Sequence, residues 1–394
     1  MTYQKLAEMD SKYIANTYGR FEAALDTGRG ATCFDVDEKK YIDFTSGIGV
    51  NSLGFCDEGW VTAVKNQLDK LQHASNLFLT APMAELAHML CVRTGMSKVF
   101  FANSGAEANE GAIKAARKYS FDKYGPGRNK IVTLINSFHG RTVTTLSATG
   151  QDSFHQFFFP FTEGFVFAPA DDLKATLDML SDDVCAVMLE TVQGEGGVMK
   201  LDGEYVKGVY DACREKDILL VIDEVQTGMG RTGTLISCEQ FKVSPDIVTC
   251  AKGLGGGLPI GAVLLSEKLA DTFHPGQHGS TFGGNPVVCA GACEILRRLD
   301  DRFLASVREK GEYIKDKLEK IPGVKSVSGL GMMIGVELEK ANNKAVAARC
   351  VKNGLLVLTA KEKIRFLPPL NISHRLIDEG LKIFEQSIAE CEGV

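Results

Sequence analysis

The 394-residue sequence has no internal repeat, no low-complexity linker and no stretch approaching the roughly 20 apolar residues of a membrane span. Its first ten residues carry Lys5, Glu8 and Asp10 and have no apolar signal core, so no secretory leader is expected there. An excess of positive charge is also missing. The net charge is −6 and the pI is near 5.8, which argues against a general nucleic-acid partner because phosphate backbones need a basic face. Zinc-ribbon spacing is absent among the eleven cysteines. Cys289 and Cys293 share a helix face without a second His or Cys pair, so packing is expected there and no metal site. The odd, scattered thiols fit a reduced, cytoplasmic chain.

What is present is a globular mix, 44% hydrophobic and 24% charged, long enough for two domains. Short apolar runs rich in β-branched residues recur at Lys98–Ala102, Ile131–Ile135, Val184–Leu189, Ile218–Ile222 and Ile247–Cys250. Helix-length segments separate most of them, and Ala106–Tyr119 has helical spacing. This alternation predicts an α/β fold with a largely parallel sheet covered on both faces. The flanks read differently. A hairpin is expected within 33–50 around Asp37–Glu38, helices from Pro286 to about Leu299 and through Tyr313 to Leu318, and strands at Lys325–Val327, Met333–Leu338 and Ile364–Phe366. The expected division is a large domain over 56–284 and a smaller one from 1–55 with 285–394.

Ligands of such sheets sit at the C-terminal strand ends. After the first run, Asn103-Ser104-Gly105-Ala106-Glu107 fits a capping box, opening a helix whose first N–H groups could hold a phosphate. After the second, Phe138-His139-Gly140-Arg141 offers a stacking face and a carboxylate clamp, with His139 expected to be structural. Asp223-Glu224-Val225-Gln226 closes another run. An acid pair there could hold magnesium, but the companion G-x-x-x-x-G-K-S/T loop is absent. Lys252 leaves a buried strand into a glycine-rich loop, where partial burial lowers an amine's pKa as an imine-forming lysine requires. Gly228–Gly233 matches G-x-G-x-x-G, yet it does not follow its strand directly. A nicotinamide dehydrogenase therefore ranks below the lysine reading.

Singly these signals are weak, but their order is specific. Helix-capping Ser-Gly-Ala, Phe-His-Gly-Arg, a strand-end Asp and a strand-end Lys together resemble the fold-type I pyridoxal-phosphate enzymes, and within them the class III (ω-amino acid) aminotransferases. The resemblance spans nearly the whole chain, including Asn16–Arg20, Gln193–Gly197, Gly279–Pro286 and Arg365–Leu370. It implies a mainly parallel seven-stranded sheet, a smaller α+β domain and a homodimer with shared active sites. It implies pyridoxal 5′-phosphate as cofactor. Lys252 would hold it as a Schiff base and then shuttle a proton. Asp223 would pair with the ring nitrogen, Phe138 stack on the ring and Gln226 sit near the phenolic oxygen. Glu224 and Val225 would lie beside it, Ser104, Gly105 and Ala106 would hold the phosphate, and Thr281, with Ser280, would reach in from the other subunit. Arg141 would bind a substrate carboxylate and Arg365 the second carboxylate of glutamate. Glu195 would pair with Arg365 when that carboxylate is missing, and Tyr18 would touch substrate. The substrates implied are amino acids and 2-oxo acids, in arginine biosynthesis, with an acetylated ornithine donor favoured over free ornithine, succinylornithine or 4-aminobutyrate. Ile48, where ornithine-specific relatives tend to have tyrosine, supports that choice. The chain departs from the family at Gly54–Glu58, usually Gly-His-x-His-Pro, and at Thr191, usually proline. Lys252 and Asp223 are both kept, which argues against a non-catalytic relative.

Overall fold

The computed structural model describes residues 1–393. Its centre is a seven-stranded sheet of β1 (Lys98–Ala102), β2 (Lys130–Leu134), β3 (Phe165–Ala168), β4 (Val184–Leu189), β5 (Leu219–Asp223), β6 (Ile247–Cys250) and β7 (Gly261–Leu265). The spatial order is β1-β7-β6-β5-β4-β2-β3. β7 alone runs against its neighbours, pairing antiparallel with β1 and β6, while β6, β5, β4, β2 and β3 pair in parallel. Every residue of β4, β5, β6 and β7 is buried. Alternate side chains feed two separate cores: Val187, Leu189, Leu220, Ile222 and Val248 on one face, Ala186, Met188, Leu219, Val221 and Ile247 on the other. Near-continuous apolar runs are what a sheet covered on both faces demands.

The predicted runs are strands, with shifts of one residue at some ends. β3 and β7 were not anticipated. The helix expected at Ala106–Tyr119 is longer, Gly105–Tyr124. Its N-cap is Ser104, whose Oγ accepts from Glu107 N at 3.1 Å, but the Glu107 carboxylate returns to Asn103 N at 2.7 Å, one residue before the cap. Gly261 starts β7 against this turn. A Cβ there would lie 2.2 Å from the Ser104 carbonyl oxygen, so only glycine permits the approach.

The flanks follow the expected pattern. The hairpin pairs Thr32–Asp35 with Lys40–Asp43, and Leu25–Arg29 adds a third strand. Leu355–Leu356 from the far end of the chain joins Lys40–Asp43 in parallel, so the two ends share a sheet. Helices Pro286–Arg298 and Asp301–Leu318, a second four-stranded sheet containing Val324–Leu330, Met333–Leu338 and Lys363–Phe366, and the helices Asn343–Asn353 and His374–Glu392 complete the fold. Among the described residues no helix is long and apolar enough to cross a membrane, and no three His, Cys, Asp or Glu side chains gather as a metal site.

Candidate active site

A cavity of about 420 Å³ opens at the C-terminal strand ends, lined in part by Ser104, Gly105, Ala106, Asn109, Phe138, Arg141, Glu190, Asp223, Val225, Gln226 and Lys252. Two neighbouring turns meet there because of a glycine. Gly140 has φ +145°, and a Cβ on it would lie 2.8 Å from Ala106 Cβ and 2.4 Å from Thr145 Oγ1.

Asp223, the last residue of β5, is 3% exposed and held from three sides. Its Oδ1 accepts from Val225 N at 3.0 Å. Its Oδ2 accepts from Asn109 Nδ2 at 2.7 Å, and His139 Nδ1 lies 2.9 Å away. A carboxylate can only accept, which places the imidazole proton on Nδ1. Asn109 is fixed in turn: Nδ2 also donates to the His139 carbonyl, and Oδ1 accepts from Thr249 Oγ1, both at 2.7 Å. The carboxylate therefore has one orientation before anything binds.

Lys252 stands two residues beyond β6 with φ +43°. Burial lowers its amine below the ordinary lysine range; the nearby Arg365 charge adds to this, while Glu195, Asp223 and Glu190 oppose it. Glu190, one residue past β4, is 5% exposed. Its Oε2 accepts from Phe138 N at 2.9 Å and Oε1 from Gly194 N at 3.4 Å. Burial, then the Asp223 charge, pushes its carboxyl well above the usual range. Neither Glu190 nor Asn109 was assigned a role from sequence. Glu190 obeys the strand-end rule that singled out Asp223; Asn109 had no signal beyond its place in the capped helix.

Arg365 is 3% exposed. Its Nη1 donates to Glu195 Oε1 at 2.5 Å and to Gln226 Oε1 at 3.2 Å, and its buried Nε has no partner among the described residues. Burial raises the Glu195 carboxyl, but the charge and hydrogen bond of Arg365 outweigh it and leave the group below its ordinary value. Glu195 lies in the turn between two short antiparallel strands, Val192–Gln193 and Met199–Lys200. Arg141 faces the same cavity with its guanidinium 4.2 Å from the Phe154 ring centre and 5.6 Å from that of Phe138.

Arg365 and Glu195 do not line the cavity but adjoin it through Gln226, and four further expected residues stand apart. Glu224 turns from the cavity: it accepts from Ser237 Oγ at 2.6 Å, Cys238 N at 2.9 Å and Thr227 Oγ1 at 2.6 Å. Adjacent residues at a strand end face opposite ways, so Asp223 and Glu224 do not both reach the ligand side. Ser280 Oγ accepts from Asn103 Nδ2 at 3.1 Å and Gly283 N at 2.9 Å, and Thr281 is exposed; neither lines the cavity of this chain. Tyr18 borders a different groove, beside the N-terminal helix Tyr3–Tyr13.

A desolvated lysine and a locked carboxylate thus stand at parallel strand ends, beside a buried, paired arginine from the antiparallel strand Lys363–Phe366. The Aminotransferase class-III family profile matches residues 13–388. The chain belongs to the class-III aminotransferases. This aminotransferase is 55% identical over 392 residues to the acetylornithine aminotransferase of Haemophilus ducreyi, covering 99% of this chain and 100% of that one. It is 45% identical over 396 residues to that of Caldanaerobacter subterraneus subsp. tengcongensis, covering 99% of each. Among solved structures, the ornithine aminotransferase of Toxoplasma gondii matches with a TM-score of 0.95 at 32% identity, over 100% of this chain and 96% of that one. The N-acetylornithine aminotransferase of Stenotrophomonas maltophilia matches at 0.85 and 36%, over 98% and 99%. The decoy glycine run of this aminotransferase is structural: Arg231 within it is 2% exposed and donates to the Met332 and Pro368 carbonyls at 3.1 and 2.6 Å.

Proposed function

We propose that this aminotransferase uses pyridoxal 5′-phosphate to move the terminal amine of N-acetylornithine to 2-oxoglutarate, giving N-acetylglutamate 5-semialdehyde and glutamate. The observation that carries this reading is the Arg365–Glu195 pair near Lys252. One pocket must accept a donor with a single free carboxylate and an acceptor with two. An arginine able to exchange an internal carboxylate for a substrate's meets that requirement, because an unpaired buried cation costs several kcal/mol.

The residues fit the cofactor. The Asp223 carboxylate, already oriented, suits a protonated ring nitrogen. Phe138 and Val225 line the cavity as apolar walls for a ring, and the N–H groups of Gly105 and Ala106 open a 20-residue helix, suited to phosphate. The Lys252 amine, desolvated and with its pKa lowered, suits covalent attachment. When bound, the cofactor supplies a reactive aldehyde carbon and an electron-withdrawing ring. The chain's part is then to move and exclude. Lys252, with its lowered pKa, takes the proton from the carbon bearing the transferred amine and returns it elsewhere. Asp223 keeps the ring nitrogen protonated, and Asn109 and His139 keep Asp223 aimed. Arg141 binds the carboxylate that both substrates have. Arg365 binds the second carboxylate of glutamate, and Glu195 covers Arg365 in its absence.

The relatives named for acetylornithine are closer in sequence than the Toxoplasma gondii ornithine enzyme, which supports the acetylated donor. Ornithine is the second reading, favoured by that enzyme's near-identical fold. Initial rates with equal N-acetylornithine, ornithine, succinylornithine and 4-aminobutyrate test the choice. The proposal requires the acetylated donor to lead, and a faster reaction with free ornithine would replace it.

A homodimer in the cytoplasm, with Ser280 and Thr281 reaching the partner's cavity, is part of the same proposal. Its support is an exposed apolar strip beside them: Leu77 is 89% and Leu79 97% exposed, and Asn76 ties this strip to the Ser280 carbonyl at 2.8 Å. The division into 56–284 and 1–55 with 285–394 is proposed likewise, supported by the sheet the chain ends share.

A further inference from the structure

Arg141 stands at the cavity on aromatic faces. The Phe154 ring centre is 4.2 Å from its guanidinium carbon, closer than the 5.6 Å of Phe138, and the two rings meet edge to face at 5.9 Å. A guanidinium stacked on a ring keeps its five donors in its own plane, free for a carboxylate. Phe154 is not placed by chance. It ends a short 3-10 turn, Asp152–Phe154, whose base is tied to the Phe138 segment. Asn136 N donates to the Gly150 carbonyl at 2.7 Å, Gly150 N to Ser137 Oγ at 3.1 Å, and Gln151 Nε2 to the Ser137 carbonyl at 3.1 Å. Phe154 N then donates to the Gln151 carbonyl at 3.0 Å. These bonds join the two loops and set the position of the Phe154 ring relative to Phe138.

We infer that Phe154 is a positioning residue for substrate: its ring holds the Arg141 guanidinium in the orientation that receives the carboxylate common to both substrates. The inference rests on the proposed role of Arg141. Stacking of this kind aids ground state and transition state alike, so its loss raises KM and leaves kcat nearly unchanged. Because the same carboxylate is bound in both halves of the reaction, both substrates must feel it equally. Arg365, by contrast, serves only the dicarboxylic partner.

The test compares Phe154→Leu, Phe154→Tyr and Arg141→Ala in both half-reactions, with cofactor affinity measured separately by fluorescence titration of the cofactor-free protein. Phe154→Leu keeps apolar bulk without a π-face. Its KM should rise about 5-fold for the amino donor and for 2-oxoglutarate alike, the size of a partly exposed cation–π contact. Its kcat and cofactor affinity should stay near wild type, and Phe154→Tyr should restore both KM values. Arg141→Ala should raise both KM values further. If Arg141→Ala does so while Phe154→Leu matches wild type, or if Phe154→Tyr behaves like leucine, the positioning role is wrong. An effect of Phe154→Leu on cofactor affinity or on one substrate alone also overturns it. If Arg141→Ala leaves both KM values unchanged, the carboxylate role of Arg141 fails and this inference falls with it.

Discussion

Replacing Glu195 by glutamine probes the charge switch directly. In the resting site Arg365 Nη1 donates to Glu195 Oε1 at 2.5 Å, and the arginine side chain is 3% exposed while that of the glutamate is 30% exposed. A hydrogen bond between charged groups contributes about 1.5–3 kcal/mol, and partial exposure of the carboxylate favours the lower figure, about 1.5 kcal/mol. That is about tenfold in an equilibrium constant. A dicarboxylic substrate must displace Glu195 from Arg365, so removing the internal competitor should raise kcat/KM for glutamate and 2-oxoglutarate by about tenfold. A donor without the second carboxylate leaves Arg365 with the neutral amides of the introduced glutamine and of Gln226, at 3.2 Å, in the free and the bound site alike, so its kcat/KM should change little. The ratio between the two half-reactions then shifts by about tenfold. Single-turnover absorbance traces, one substrate at a time, measure each half separately, and the urea midpoint confirms that the variant is folded. If both halves fall together, or the dicarboxylic half does not change, Glu195 is not the switch.

Glu190→Gln should alter the pH dependence of stability. The folded carboxyl of Glu190 lies well above the ordinary range, so it favours folding below the ordinary carboxylate value, and that advantage is lost as pH rises toward its folded value. Relative to wild type, the glutamine variant should gain stability between pH 4 and neutrality, read from urea unfolding across about pH 4–7; a pH-independent difference would contradict the assignment. Asp217 works in the opposite sense. Burial opposes its charge, but hydrogen bonds from Lys123, Lys268 and Tyr124 prevail and hold it below the usual carboxylate range. Its stabilisation is present above the ordinary value and lost as pH falls through the folded one. Asp217→Asn should cost about 1 kcal/mol at neutral pH and less in acid, without new strain at its φ of +50° because asparagine tolerates that region. A loss that does not shrink in acid would show that the charge is not what Asp217 contributes.

The sheet and the strand-end residues were readable because period and position carry them. Asp223 follows an apolar run directly and Lys252 follows one after a single alanine, and a parallel sheet brings such positions to one edge. β7 escaped notice because it runs antiparallel after a glycine loop rather than a helix. β3 is a four-residue edge strand, only partly buried, and so lacks a strong apolar run. Glu224 was expected at the ligand because it follows Asp223, and strand alternation turns it away. Asn109 acts through the rotation of its helix, which places its amide against Asp223 and Thr249; spacing alone does not reveal a hydrogen-bond partner. Phe154 depends on a loop pinned to Ser137 by long-range hydrogen bonds, for which no local pattern exists. Tyr18, Ser280 and Thr281 lie away from the cavity of this chain, and a shared-site role for them requires a second copy.

The most direct measurement is the visible spectrum of the purified protein supplied with pyridoxal 5′-phosphate, alongside Lys252→Ala. Attachment at Lys252 gives a visible absorption band that the alanine variant lacks. N-acetylornithine should bleach the band toward the near ultraviolet, and 2-oxoglutarate should restore it. A protein that shows no lysine-dependent band in the presence of the cofactor would contradict the central claim.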